Sequence, residues 1–384
     1  MSRLKQAVKL TTINLLVIAG ILFIPAVVFE AYKQIKLNSQ GKSSEESEPL
    51  KIYRNKQEKG EMEKMQSEAQ TQTAKPMAYL PFIGWRRPLS SQKYSEIISP
   101  YNQRNSVSHG LNQSSWFFGN STMWGTGTTQ NYTIPSQYSK ITDKRVANFG
   151  ESAWTSRQSL NQFLNVIGDG YQPSEVIFYG GAGDILQNCR AELEHVPSHA
   201  MGQSLAGMTS SGINYFLMKD YIVPVVDFIV MPYKAIGGKL GIYKNTVSTS
   251  GSTMDCTTNQ EKTKRVIDHL IANWKAAYLL SKANGAEFLA VLQPLAYTSD
   301  TPTNHLPKED KLLKSQFDAL YPAIIQAMSN ECKNDKEFCD SFVDGSQWIQ
   351  TKEPVFLDFS HITGEGNSIV AQEIVNAFNQ RSTN

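Results

Sequence analysis

From residue 114 to the C-terminus, short apolar runs alternate with stretches of helical periodicity, and this alternation constrains the fold more than any other feature. The runs at 115–118, 145–148, 176–179 and 288–292 read as strands, with 355–357 as an edge or terminal piece. Between them, 155–166 places Leu160, Phe163 and Leu164 on one face, and 264–281 places Val266, Ile267, Leu270, Ile271, Trp274 and Tyr278 on one stripe. Residues 312–328 and 368–378 show the same periodicity. Short strands separated by helices pair in parallel and are covered on both faces. The expected fold class is therefore α/β, a three-layer α/β/α sandwich with a mainly parallel, flavodoxin-like sheet.

The N-terminus adds a different element. Residues 13–29 (INLLVIAGILFIPAVVF) carry no charge, and roughly 17–25 such residues span a bilayer as a helix. Arg3, Lys5 and Lys9 precede the run without an acidic residue. The positive-inside rule then keeps residues 1–12 in the cytoplasm and sends the rest across. Pro25 within the run, and no small-x-small site after it, argue against a cleaved leader. The expectation is a single-pass protein of the cell (inner) membrane with its globular part periplasmic or extracellular. Residues 30–76 are polar and mixed in charge, and read as a tether with a helical stretch over 61–69. The folded domain is expected over 77–384, where YLPFIGW brings in aromatic residues.

One stretch, at about 187–260, breaks the α/β rhythm and contains Pro224 and Pro232. It reads as an insertion or lid. Cys189 and Cys256 bracket it, and Cys332 and Cys339 bracket a short loop. Outside the cytoplasm, pairing within each bracket is the simplest of the three connectivities. With 37 Lys+Arg against 35 Asp+Glu, the net charge of +2 offers no basic excess for phosphates, so no nucleic-acid partner is expected.

Open parallel sheets gather reactive groups at the carboxyl ends of their strands. Ser121 follows the first strand on a strand-to-helix turn, where N–H groups can receive developing negative charge. Near the C-terminus, His361 stands three residues after Asp358. In that spacing the imidazole can act as a base while the carboxylate fixes its tautomer. The glycines at 180, 181 and 183 lack the Lys-Ser/Thr ending of a P-loop and the G-x-G-x-x-G spacing. Glu192, Glu194, His195 and His199 offer metal-ligand types, but Pro197 breaks the helix that the two histidines would need. Neither cofactor nor metal is expected.

Four segments, in order, resemble the blocks of the SGNH (GDSL-like) hydrolase family: FFGNSTMWGTG, VANFGESAWTSRQSL, VIFYGGAGDI and FLDFSHITGEGNSIVAQEI. The resemblance spans about 116–378, interrupted after Asp184. It implies a serine ester hydrolase acting through an acyl-Ser121, with His361 as base and Asp358 orienting it. The backbone N–H groups of Ser121 and Ala153 would bind the oxyanion. Two positions depart from the family pattern. Ala153 stands where the family has a glycine, and Gly183 where it has an asparagine whose amide is a further oxyanion donor. Asn120 or Asn188 is a neighbour that could substitute, and Gly183→Asn is expected to restore the donor and raise the rate. The implied substrate is an acyl ester, on an envelope glycan or lipid. An O-acyltransferase using the same residues, and a non-catalytic glycan-binding or assembly protein, are the alternatives.

Overall fold

The computed structural model describes residues 48–71, 77–191 and 254–382. The apolar run at 13–29, the residues before it, the candidate metal ligands at 192–199 and most of the expected insertion lie outside the described residues. Among the described residues no helix is long and apolar enough to cross a membrane.

A 3-10 turn, Glu48–Ile52, leads into α1 (Lys56–Thr71), followed by a small hairpin of β1 (Ala78–Leu80) and β2 (Gly84–Arg86). Next come β3 (Ile97–Ile98), β4 (Gln103–Arg104), β5 (Ser115–Gly119), α2 (Ser121–Trp124), α3 (Ile134–Thr142), β6 (Val146–Asn148), α4 (Ser156–Gly168), β7 (Glu175–Gly180) and α5 (Ala182–Asn188). The chain then runs through α6 (Gln260–Ala283), β8 (Glu287–Leu292), α7 (Lys311–Glu331), α8 (Lys336–Cys339), β9 (Phe342–Asp344) and α9 (Gly364–Ser382).

The seven-stranded sheet has the order β3-β4-β6-β5-β7-β8-β9. From β6 to β9 every pairing is parallel, while β3 and β4 add an antiparallel edge. Counting from β5, the parallel part runs 2-1-3-4-5, so its topological switch point falls between β5 and β7.

Successive β5 side chains serve opposite layers. Trp116 and Phe118 face α4, α6 and α7 through Phe163, Trp274 and Phe317, whereas Phe117 faces α3 and α9 through Tyr138, Val370 and Ile374. All three β5 aromatics are fully buried, each worth about 1.5–3 kcal/mol. The expected sandwich and mainly parallel sheet are present.

Two local expectations are corrected. Residues 355–357 form no strand: Phe356 makes a single bridge to Ile362, and the sheet ends instead at β9. Phe342–Asp344 is short and largely half-exposed, which hid it from apolar patterning. The tether expected over 30–76 is packed structure over 48–71, with Leu50, Ile52, Tyr53 and Met62 forming a buried cluster. Disulfides join Cys189 to Cys256 and Cys332 to Cys339, with Cα separations of 5.1 and 4.9 Å.

Candidate active site

The turn that carries Ser121 is built by close approach. At Gly119, which ends β5, a Cβ would lie 2.4 Å from the Tyr179 carbonyl oxygen on β7, so only glycine lets the strand ends run together. Asn120 caps α2 by accepting the Thr122 N–H at 3.0 Å. Gly125, at φ +92°, turns the chain out of the helix. Ser121 is the first residue of α2 and is half-buried.

The Asp358–His361 loop is organised by its own carboxylate. Asp358 Oδ1 accepts the backbone N–H groups of Ser360 and His361, each at 2.8 Å. Its Oδ2 lies 2.5 Å from His361 Nδ1. Since a carboxylate can only accept, Nδ1 carries the proton and Nε2 is left as an acceptor. Ser121 Oγ lies 2.7 Å from that Nε2. Burial pushes the Asp358 carboxyl up, but the hydrogen bond from His361, the charge of that ring when protonated and the two backbone N–H groups outweigh it and hold it below the usual carboxylate range. The three residues singled out from the sequence thus meet in one relay. Thr122, next to Ser121, ties the two loops together by donating to the Ser360 carbonyl at 3.1 Å.

The second block wraps the Ser121 turn. Asn148 donates to the Met123 carbonyl at 3.0 Å and accepts the Gly150 N–H at 3.0 Å, and Glu151 N–H donates to the Gly119 carbonyl at 3.2 Å. Ala153 has φ +58°, in the left-handed region that favours glycine. Its neighbours are clasped reciprocally: Trp85 Nε1 donates to the Ser152 carbonyl and Trp154 Nε1 to the Trp85 carbonyl, both at 3.0 Å.

Gly183 begins no donor. Its Cβ position points at the Trp154 carbonyl oxygen, 2.2 Å away, and at Asn120 Cβ, 3.4 Å away. The space an asparagine would need is filled by backbone, so the expectation that Gly183→Asn restores a donor is overturned. The proposed substitutes do not take over either. Asn120 donates its amide to Gln293 Oε1 at 2.6 Å. Asn188 is buried at the opposite end of α5 from Gly183. The adjacent Asp184 instead anchors the second block, accepting Ser156 N–H at 3.1 Å and Ser156 Oγ–H at 2.6 Å. Burial pushes the Asp184 carboxyl up to about 6, against these hydrogen bonds.

Several contributors were not singled out from the sequence. Gln293 holds Asn120 and takes its place directly after β8, so reading the residue after that strand would have found it. Arg86 donates to the Phe149 and Gly150 carbonyls, and Arg104 to those of Trp124, Gly125 and Thr128. Arg87 pairs with the buried Glu151 carboxylate and lies over the Trp124 ring at 3.7 Å. No pattern of spacing marks these cations. Beside the relay, a cavity of about 580 Å³ is lined by Tyr297, Leu306, Lys308, Lys314, Asp358 and Phe359, among others. Among the described residues no group of His, Cys, Asp and Glu could hold a metal ion.

No protein-family profile and no curated protein matches the chain. Among solved structures, the similarity is to SGNH/GDSL-like hydrolases. A lipolytic protein of the G-D-S-L family from Desulfitobacterium hafniense shares 11 % identity over 69 % of this chain and 99 % of its own, with a TM-score of 0.37. An acylhydrolase from Bacteroides fragilis shares 14 % over 72 % and 91 %, with a TM-score of 0.36. An acetylxylan esterase from Geobacillus stearothermophilus shares 14 % over 71 % and 96 %, with a TM-score of 0.31. The likeness is loose, and the chemistry rests on the site's own geometry.

Proposed function

We propose that the protein is an SGNH-type serine ester hydrolase, anchored in the cell membrane by residues 13–29 with its catalytic domain outside the cytoplasm. The observation that carries the reading is the unbroken relay from Ser121 Oγ through His361 to Asp358, at 2.7 and 2.5 Å. His361 Nε2 removes the hydroxyl proton as Ser121 Oγ attacks the ester carbonyl, and returns it to the leaving alcohol. Asp358 holds the tautomer and stabilises the imidazolium. Backbone N–H groups of Ser121 and Ala153 receive the oxyanion, without the side-chain amide the family usually adds. Water then attacks the acyl-Ser121 by the same route in reverse. The substrate would be an O-acyl group on an envelope glycan or lipid, a choice supported by the expected topology alone.

Purified protein is expected to hydrolyse a short-chain aryl ester and to be labelled by a fluorophosphonate. Ser121→Ala should abolish labelling and lower kcat by roughly 10⁴-fold or more. Acyl transfer to a sugar hydroxyl with little hydrolysis would favour an O-acyltransferase. A folded protein that neither hydrolyses nor labels would favour a binding or assembly role and refute the hydrolase.

A further inference from the structure

The segment that looks like a tether reaches the catalytic loops on both sides of the relay. Leu357, immediately before Asp358, packs against the buried cluster of Leu50, Ile52, Tyr53 and Met62. Three residues after His361, the Gly364 N–H donates to Glu58 Oε1 at 2.7 Å. The same Oε1 accepts Thr128 Oγ1–H at 3.0 Å, from the loop that follows the nucleophile helix. Tyr53 O–H donates to the Gly127 carbonyl of that loop, and Thr129 Oγ1–H to Glu61 Oε2 at 2.8 Å. Arg54 stands between Glu353 and Glu365, at 3.6 and 3.3 Å, on either flank of the Asp358–His361 loop.

Gly364 is fitted to the segment, and Gly127 to Leu357, which packs on it. At Gly364 a Cβ would lie 2.7 Å from the Glu58 carboxylate, and at Gly127 one would lie 2.1 Å from Leu357 Cδ1. Glu58 itself is 1 % exposed. Its donors are neutral, and among the described residues no cation pairs with it. A buried carboxylate without a counter-ion is a costly way to hold two loops unless their relative position matters. The two loops carry the two halves of the relay, whose proton transfer depends on sub-ångström placement.

We propose that residues 48–71 are a positioning element for catalysis, in which Glu58 fixes the Asp358–His361 loop against the nucleophile's loop. Glu58 touches no reacting atom; it acts through Gly364 and Thr128. The site is complete only when this segment, which leads back toward the apolar run at 13–29, is docked. The inference rests on the hydrolase reading, because the role it assigns is to that relay.

The test uses the full chain, comparing wild type with Glu58→Ala, Glu58→Gln and Thr128→Val. Turnover on an aryl ester is normalised to sites titrated with a fluorophosphonate, so loss of folded protein does not register as slower chemistry. Glu58→Ala is expected to lower kcat per titrated site by about 10²-fold, with KM changed less than about threefold. Glu58→Gln, which keeps the accepting oxygen, should recover most of the rate, and Thr128→Val should fall between. Hydrogen exchange of residues 355–364 gives a readout independent of activity, and should be faster in Glu58→Ala than in wild type. Should Glu58→Ala not fold, Thr128→Val and Glu58→Gln carry the comparison. Unchanged kcat per site would overturn the proposal. If the wild type neither labels nor hydrolyses, the hydrolase reading falls and the catalytic role of the segment falls with it; faster exchange in Glu58→Ala would then show a purely structural clamp.

Discussion

Gly183→Ala tests the oxyanion side of the site with a single methyl group. The new Cβ would stand 2.2 Å from the Trp154 carbonyl oxygen, where carbon and oxygen normally approach to about 3.3 Å at closest. A displacement of about 1.1 Å must be found, and the surroundings decide where. Asp184 fixes the start of α5 to Ser156, at 2.6 Å between Oδ1 and Oγ. Trp154 is held to Trp85 through its indole. What can give is the backbone at 152–154, which carries Ala153 at φ +58°. Overpacking of this kind costs about 1–3 kcal/mol, and a 1 Å misplacement of a catalytic group about 10²-fold in rate. We expect Gly183→Ala to lower kcat on an aryl ester by about that factor and to reduce thermal stability, with Gly183→Asn worse on both counts. Steady-state kinetics and a thermal melt on the same preparations provide the check. A Gly183→Asn variant more active than wild type would refute the steric argument and reinstate a missing amide donor.

Two further outcomes follow from backbone and charge. Ala153→Gly should relieve a left-handed conformation that costs about 1–2 kcal/mol for a residue with a Cβ, offset by about 0.4–1 kcal/mol of chain entropy; a denaturant midpoint lower than wild type would contradict it. Asp184 is raised in the folded state from 3.8 to about 6, so its contribution is fully present below about pH 4 and is lost as pH rises through 6. The interval corresponds to about 3 kcal/mol, and Asp184→Asn should flatten that part of the stability profile; equal slopes for variant and wild type between pH 4 and 6 would refute the assignment.

The relay was legible because each member sits in a short local motif, Ser121 at the end of β5 and Asp358 with His361 in one loop. Asp358 and His361 are three residues apart, and a carboxylate in that register can cap its own loop and reach the ring at once. The central strands were legible because they are buried on both faces and read as unbroken apolar runs. The antiparallel edge was not, since β3 and β4 contribute two residues each and β4 is the buried pair Gln103 and Arg104, which patterning counts as surface. The docked segment at 48–71 escaped for a related reason. Four buried apolar residues in a polar stretch give a weak signal, and the residue that anchors it to the catalytic loops is a glutamate.

The departures from the family pattern and the added N-terminal structure belong to one arrangement. In the proposed mechanism, with no side-chain donor at Gly183, the oxyanion would depend on the backbone N–H groups of Ser121 and Ala153. Around these groups the flanking loops are held through their carbonyls. Arg86 holds those of Phe149 and Gly150, and Arg104 those of Trp124 and Gly125. Burial lowers these guanidinium pKa values to about 10 and about 9, so both stay charged at neutral pH. Glu151 is the buried carboxylate nearest to balancing them, and it is already paired with Arg87. The loops are therefore held by charge-assisted hydrogen bonds, roughly twice as strong as neutral ones. Losing either arginine would also strand buried carbonyls, at about 1–3 kcal/mol each. Both arginines lie in the stretch preceding the first family-like block, and Glu58 lies before them. The proposed catalytic residues lie in the family-like motifs, but the rigidity their chemistry would demand comes from chain outside those motifs.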